Sequence, residues 1–471
     1  MIRLFSHRWF TPAFLLFMAL LTLAAYSNSF GAPLQFDDSQ TLENLLLRDL
    51  GNFWLIVENT RGLTQYTFAL NYAAGGFEVW GYHAVNLAVH VLNSFLAYFL
   101  LLATFRLAHV DGPDSRRFAA FSALLFAVHP VQTQAVTYIV QRMESLSAGF
   151  YLLSLLLFVR GASSSAPVKK AFMYAGVAAS YFLAFVSKEV AYTLPAVILL
   201  YDLCFMAKGR CREMLSRWPV YGLLAALFAY FTVTTIAPLG GLSRPGQESS
   251  IEASERHAAA LPLRIIKTVS APAFLTVPEA NAEEAGAPPP QDRAEDLKKK
   301  SKYGDSAGFG ISGVSPKEYL YTQFNAIVYY IALLIVPVNQ NIDYDFPWAG
   351  EFLKSPPVPP GTVLNIPVLP PVASFIILLA IAGLGLFLLF RRQKGPDSRA
   401  RVAGFSVFWF FIILSPTSSF VPIRDALVEH RLYLASIGFF VIFVLALDWV
   451  AFRLISVIVK ARLSRQGQRG G

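Results

Sequence analysis

Adjacent carboxylates stand at Asp37-Asp38, inside Phe36-Asp37-Asp38-Ser39-Gln40 and just beyond the first long apolar run, Thr11 to Ala25. Acids at the mouth of an apolar segment suit general-base chemistry, in which a carboxylate takes the proton of an attacking hydroxyl. The duller role is a helix N-cap for Ser39 to Trp54. Cations that would accompany such a base are Arg61, Arg142, Lys188, His430 and Arg431, and Arg and Lys hold a phosphate by charge-assisted hydrogen bonds. Polar groups able to grip an acceptor or a sugar are His83, Gln134, Tyr138, Asp343, Asp345 and Glu429. Carboxylates mixed with cations at a membrane boundary suit a substrate with a lipid tail and a phosphate head. The same charges suit a transporter or flippase for a lipid-linked anion.

The elements that must position these groups are set by composition. Of 471 residues 55% are hydrophobic and only 15% charged, and the mean hydropathy is +0.49, which excludes an ordinary soluble domain. The chain reads as an all-α polytopic membrane protein. Its net charge of +9 is therefore a topology signal and not a nucleic-acid footprint, because Lys and Arg gather on the cytoplasmic side. Cys204 and Cys211 both fall near a basic inner loop and are structural, without a disulfide.

Arg3, His7 and Arg8 keep the N-terminus inside, and the first run is an uncleaved span. Residues 30–80 form a long outer loop, in which Leu42, Leu45, Leu46, Leu50 and Trp54 fall at helical spacing and predict an amphipathic helix lying at the interface. The second span, from Tyr82, carries His83, Asn86, His90 and Asn93 on one face. That stripe is either a hydrogen-bonded packing seam or the lining of a substrate cavity. After His129-Pro130 a helix continues to Ser145 with Gln134, Tyr138, Arg142 and Ser145 on one side. Lys188-Glu189 lies at the outer end of a later span, as a mutual pair or as a ligand for the substrate, and the loop from Lys208 to Arg217 is basic and inner.

The organisation is then an N-terminal transmembrane module, 1–237, a long outer region, 238–370, and a C-terminal transmembrane module with a basic cytoplasmic tail, 371–471. The outer region is partly flexible by composition, with Ala287-Pro288-Pro289-Pro290 and a lysine run from Lys298. Its segment 319–337 is interfacial or re-entrant, since a crossing there would put Arg391-Arg392 outside; a hidden crossing near 261–277 would also restore parity. The total is about 10–12 spans of membrane length. No internal repeats appear, and the tail leaves no room for a soluble domain.

Several of these pieces carry a resemblance when taken together and in order: Phe36-Asp37-Asp38, Arg61-Gly62-Leu63-Thr64, Gly81-Tyr82-His83-Ala84-Val85-Asn86, His129-Pro130, Ser187-Lys188-Glu189, Asn341-Ile342-Asp343-Tyr344-Asp345-Phe346-Pro347 and Glu429-His430-Arg431-Leu432-Tyr433-Leu434. The chain resembles the membrane half of the transmembrane and tetratricopeptide-repeat O-mannosyltransferase family, a branch of the GT-C glycosyltransferases. The resemblance implies a GT-C-like bundle whose long first outer loop carries interfacial helices. It also implies transfer of a sugar, with inversion, from a polyprenyl-phosphate carrier to an acceptor hydroxyl at the outer face. An acid of the first outer loop then acts as base, which points to Asp37 first and Asp38 next, with Arg142, Lys188 and Arg431 as candidates for the lipid phosphate.

The tetratricopeptide array that follows the membrane domain in that family does not follow here. The acceptor is accordingly a protein Ser or Thr, presented by a separate protein, or a glycolipid. Other partners implied are the lipid-linked donor and membrane lipids, with no nucleic acid. A carrier with one phosphate needs no metal, so no cofactor is expected; Asp343 and Asp345 with Asp37 or Asp38 are the groups that would hold a divalent cation. The location implied is a bacterial inner membrane with the site facing the periplasm, ahead of the endoplasmic reticulum.

Overall fold

The computed structural model describes residues 5–58, 61–110, 112–207, 209–236, 313–391 and 398–467. The chain divides into two compact units, residues 1–228 with 309–471, and residues 229–308. Of the second unit only 229–236 are described, continuing a helix begun at Trp218. The segment near 261–277, the proline cluster and the lysine run all lie outside the described residues.

Among the described residues the regular elements are helical. They are α1 (Phe10–Ala25), α2 (Asp37–Leu42), α3 (Phe53–Val57), α4 (Gly62–Gly75), α5 (Val79–Leu107), α6 (Gly112–Val128), α7 (Thr133–Thr137), α8 (Arg142–Ala162), α9 (Pro167–Phe185), α10 (Leu194–Tyr201), α11 (Cys211–Leu215), α12 (Trp218–Ile236), α13 (Pro316–Ile335), α14 (Pro371–Phe390), α15 (Arg399–Leu414) and α16 (Leu432–Gly467).

Among the described residues five stretches are long and apolar enough to cross a bilayer: Val79–Leu107, Ile139–Ala162, Glu189–Met206, Pro371–Phe390 and Glu429–Val459. Helix α14 has a mean hydropathy of 2.8 yet leaves Ile376 60%, Leu379 53% and Phe390 76% exposed. A helix that is apolar all round and still uncovered faces lipid rather than water. The chain is an integral, multi-pass membrane protein.

Helix α9 packs on α8, α6 on α5, and α15 between α14 and α16. The last two contacts depend on missing side chains: a Cβ at Gly404 would meet Gly385 O at 2.7 Å, and one at Gly438 would meet Ser406 O at 2.5 Å. Small residues let backbones approach where lipid supplies no hydrophobic drive between helices.

Two expected helices are broken. Ser39 to Trp54 is not one amphipathic helix but α2, the 3₁₀ turns Leu45–Arg48 and Leu50–Asn52, and then α3. The interruptions fall where Asn44 Oδ1 accepts the Leu46 N–H and Asp49 Oδ1 accepts the Gly51 N–H, local bonds that compete with a helix. Nor is 133–145 continuous: Tyr138 adopts ψ 111°, separating α7 from a 3₁₀ turn, Ile139–Gln141, and α8. Helix α13 is unbroken over 20 residues and starts in a capping box of Ser315 and Glu318.

Candidate active site

The acidic pair is split by its surroundings. Phe36 precedes α2 at φ 40°, ψ −113°, a region that large side chains rarely occupy. Asp37 is exposed, whereas Asp38 is 1% exposed. Both Asp38 carboxylate oxygens accept backbone bonds, Oδ2 from the Gln35 N–H at 3.1 Å and Oδ1 from the Val140 N–H at 2.7 Å. Asp37 in turn donates its backbone N–H to Tyr138 Oη at 3.0 Å. The break at Tyr138 is what frees these partners, because an unbroken helix would have used the Val140 N–H itself. Burial pushes the Asp38 carboxyl up to about 6, against the opposing pull of its backbone donors. Burial also raises the Tyr138 phenol, which stays protonated.

Behind this turn, Lys188 and Glu189, which the sequence offered as a mutual pair or as a substrate ligand, enter two separate ion pairs. Arg61, in a left-handed conformation at φ 62°, forks onto Glu189 with Nη2–Oε2 at 3.0 Å and Nε–Oε1 at 3.1 Å. Lys188 Nζ meets Glu144 at 2.7 Å and Gln141 Oε1 at 3.2 Å. Burial lowers the Lys188 ammonium, and Glu144 pulls it back. Burial likewise works against the charge of Arg61, but Glu189 outweighs it and the guanidinium ends above its ordinary value; the fields of Glu144 and Asp37 add to that.

A third group closes on the first two. Gln134 Oε1 accepts the His430 backbone N–H at 2.6 Å while its Nε2 donates to Ile342 O at 2.8 Å. Ile342 packs on Tyr138, Val140 and Met143. The carboxylate of Glu429, 2% exposed, accepts from Tyr344 Oη, from Gln340 Nε2 at 2.6 Å and from the Asn341 N–H at 3.2 Å. Glu429 thus anchors the 340–344 segment and is not open to a ligand, while Asp343 within that segment and Asp345 just after it are exposed. Arg431, 7% exposed, donates to Asp425 O at 2.9 Å and, weakly, to Ala426 O at 3.5 Å. No carboxylate pairs with it among the described residues. The charges felt at His430 come from Lys188, Arg431 and Arg61, so the cations converge there.

Arg142 sits differently from the other cations. It is fully buried, with Nε donating to Asn86 Oδ1 at 2.6 Å, Nη1 to Asn71 Oδ1 at 2.7 Å and Nη2 to Tyr82 O at 3.0 Å. Its guanidinium also lies over the Phe68 ring at 4.6 Å. Those bonds occupy the group that the sequence offers to a phosphate and make it a tie between α4, α5 and α8.

The polar stripe of α5 is a seam. His83 Nε2 bonds Ala32 O, Asn86 bonds Ile139 O, His90 bonds Tyr433 Oη and Ala127 O, and Asn93 bonds Ser145 O and Tyr433 Oη. His83 is 2% exposed and holds the long loop to α5 rather than facing a cavity.

Among the described residues no three His, Cys, Asp or Glu side chains are grouped closely enough to hold a metal. Cys204 and Cys211 are both free, one buried and one exposed. Sequence reasoning missed Glu144, although an acid so near the start of an apolar span was a usable signal. It also missed Tyr344 and Gln340 as partners of Glu429, for which no local pattern existed.

A buried-helix frame, an exposed acid on a pinned turn and a set of nearby ion pairs define a membrane protein with a polar site. Comparison with known proteins sharpens this: the chain is a distant relative of the protein O-mannosyl-transferases, as its motifs imply. It is 30% identical over 219 residues to protein O-mannosyl-transferase tmtc2 of Xenopus laevis, covering 43% of this chain and 25% of that one. It is 34% identical over 163 residues to protein O-mannosyl-transferase TMTC4 of Mus musculus, covering 30% and 22%, and 29% identical over 216 residues to protein O-mannosyl-transferase TMTC2 of Homo sapiens, covering 41% and 24%. The chain spans about a quarter of the length of these relatives. No family model and no solved structure matches.

Proposed function

We propose that this protein is an inverting glycosyltransferase that moves a sugar from a polyprenyl-phosphate carrier to an acceptor hydroxyl, with Asp37 as the base. The observation that carries this reading is the exposed Asp37 carboxylate on a turn fixed by Tyr138 and Asp38, within the field of Arg61. The names of the relatives supply the transfer of mannose and the class of acceptor, a protein.

In this mechanism Asp37 accepts the proton of the acceptor hydroxyl as the new bond to the anomeric carbon forms. The bond from that carbon to the phosphate oxygen breaks, and its electron pair leaves with the polyprenyl phosphate. Arg431 holds that phosphate, since it is the cation of the cluster without a carboxylate partner among the described residues. Lys188 and Arg61 already have Glu144 and Glu189, and so contribute field more than direct bonds. Arg142 positions α4 and α5 beneath the site. Asp343 and Asp345 face the acceptor, and no metal is required by a single phosphate.

The test is to give the purified protein polyprenyl-phosphate mannose of defined anomeric configuration with a Ser- and Thr-containing peptide or a glycolipid. Mannose appearing on an acceptor with the opposite configuration supports the reading. A protein that moves the intact lipid across vesicles and never cleaves it would replace it with transport.

A further inference from the structure

We infer that Asp38 is a positioning residue, which holds a strained turn at Phe36 so that Asp37 alone faces the substrate. This deepens the transferase reading and rests on it. Phe36 is 60% exposed, so no burial of its ring compensates a backbone held at φ 40°, ψ −113°. Something outside the residue must hold that conformation. Asp38 is placed to do so: one oxygen accepts the Gln35 N–H on the near side of Phe36, and the other accepts the Val140 N–H across the site. The Asp38 N–H also donates to Gln35 O at 2.8 Å, closing the turn around Phe36 from both directions.

The consequence is a division of labour within the acidic pair. Asp38 has its acceptors committed to backbone donors and is shut away from ligands. Asp37 is turned outward, its own N–H fixed on Tyr138 Oη. An Asn at position 38 offers only one acceptor oxygen and sets an NH₂ against the second backbone donor, so the turn loosens. Glycine at position 36 adopts positive φ without strain and removes the need for the restraint.

The experiment compares wild type, D37N, D38N, F36G and F36G/D38N, reading cleavage of polyprenyl-phosphate mannose, thermal unfolding in detergent and amide exchange over 35–38 and 138–141. The expected result for D38N is a kcat lower by about 10–100-fold with little change in KM, as for a misaimed catalytic group, together with faster exchange in both segments. F36G keeps turnover and melts no lower than wild type, F36G/D38N regains most of the lost kcat, and D37N stays inactive. D38N as inactive as D37N and unrescued by F36G would make Asp38 the base and overturn the inference. So would a D38N of unchanged kcat, or an F36G that loses turnover. A wild type that cleaves no such donor would instead sink the transferase reading, while the exchange data would still report whether Asp38 pins the turn.

Discussion

Asp38 and Val140 stand 102 positions apart and are joined by a 2.7 Å hydrogen bond from the Val140 N–H to Asp38 Oδ1. Through it the loop after the first helix is fixed to the start of the Ile139–Ala162 span. The acid therefore lies at a junction of two segments, and its protonation bears on stability.

Burial holds the Asp38 carboxyl near 6, above the ordinary value of about 4. Because the folded value is raised, the contribution to stability is fully present below about pH 4 and is lost as pH rises through about 6. The melting difference between wild type and D38N should shift against wild type across that window, by on the order of 2 kcal/mol. Calorimetry or a fluorescence melt at several pH values checks it; a difference that stays flat from pH 4 to pH 7 contradicts the assignment.

Glu144 and Lys188 form a nearly buried ion pair, with side chains 3% and 11% exposed. Removing Glu144 alone strands the ammonium and should cost about 3–5 kcal/mol. The double variant E144Q/K188M should be less destabilised than E144Q. A double-mutant cycle by thermal unfolding measures the coupling, and additive losses would speak against it.

Gly149 faces Asn93 Oδ1, which a Cβ would approach to 2.5 Å. G149A should push Asn93 off Ser145 O and Tyr433 Oη and destabilise by about 1–3 kcal/mol. Pairing it with N93A relieves the contact, so the double variant should melt higher than the sum of the singles predicts.

The proposed mechanism gives Arg431 a binding role and Arg142 a structural one. R431M should raise the donor KM at least about tenfold, the loss of one charge-assisted contact, with a smaller stability loss because Asp425 O gives up its donor. R142M should instead lose stability, because Asn86, Asn71 and Tyr82 O are left without their donor. Steady-state kinetics beside a melt distinguishes the two; a stable R142M with a raised donor KM would reverse the roles.

What sequence could show followed from local pattern. Apolar runs announced the spans, and the ordered motifs led to the relatives named above. The pair Asp37-Asp38 was visible as a pair, but its division into an exposed and a buried acid was not, because it depends on a Val140 N–H freed by a helix break a hundred residues away. Ser39 to Trp54 shows the opposite error: correct apolar spacing was overruled by the side-chain bonds of Asn44 and Asp49. Arg142 read as a phosphate ligand because a buried cation satisfied by neutral groups leaves no sign in its neighbours along the chain.

The most direct test of the central claim is single-turnover cleavage of polyprenyl-phosphate mannose by D37N beside wild type, with matched melting curves. A folded D37N should be slowed at least about a hundredfold, the lower end of what a positioned general base contributes. A folded D37N that turns over at the wild-type rate would contradict the claim.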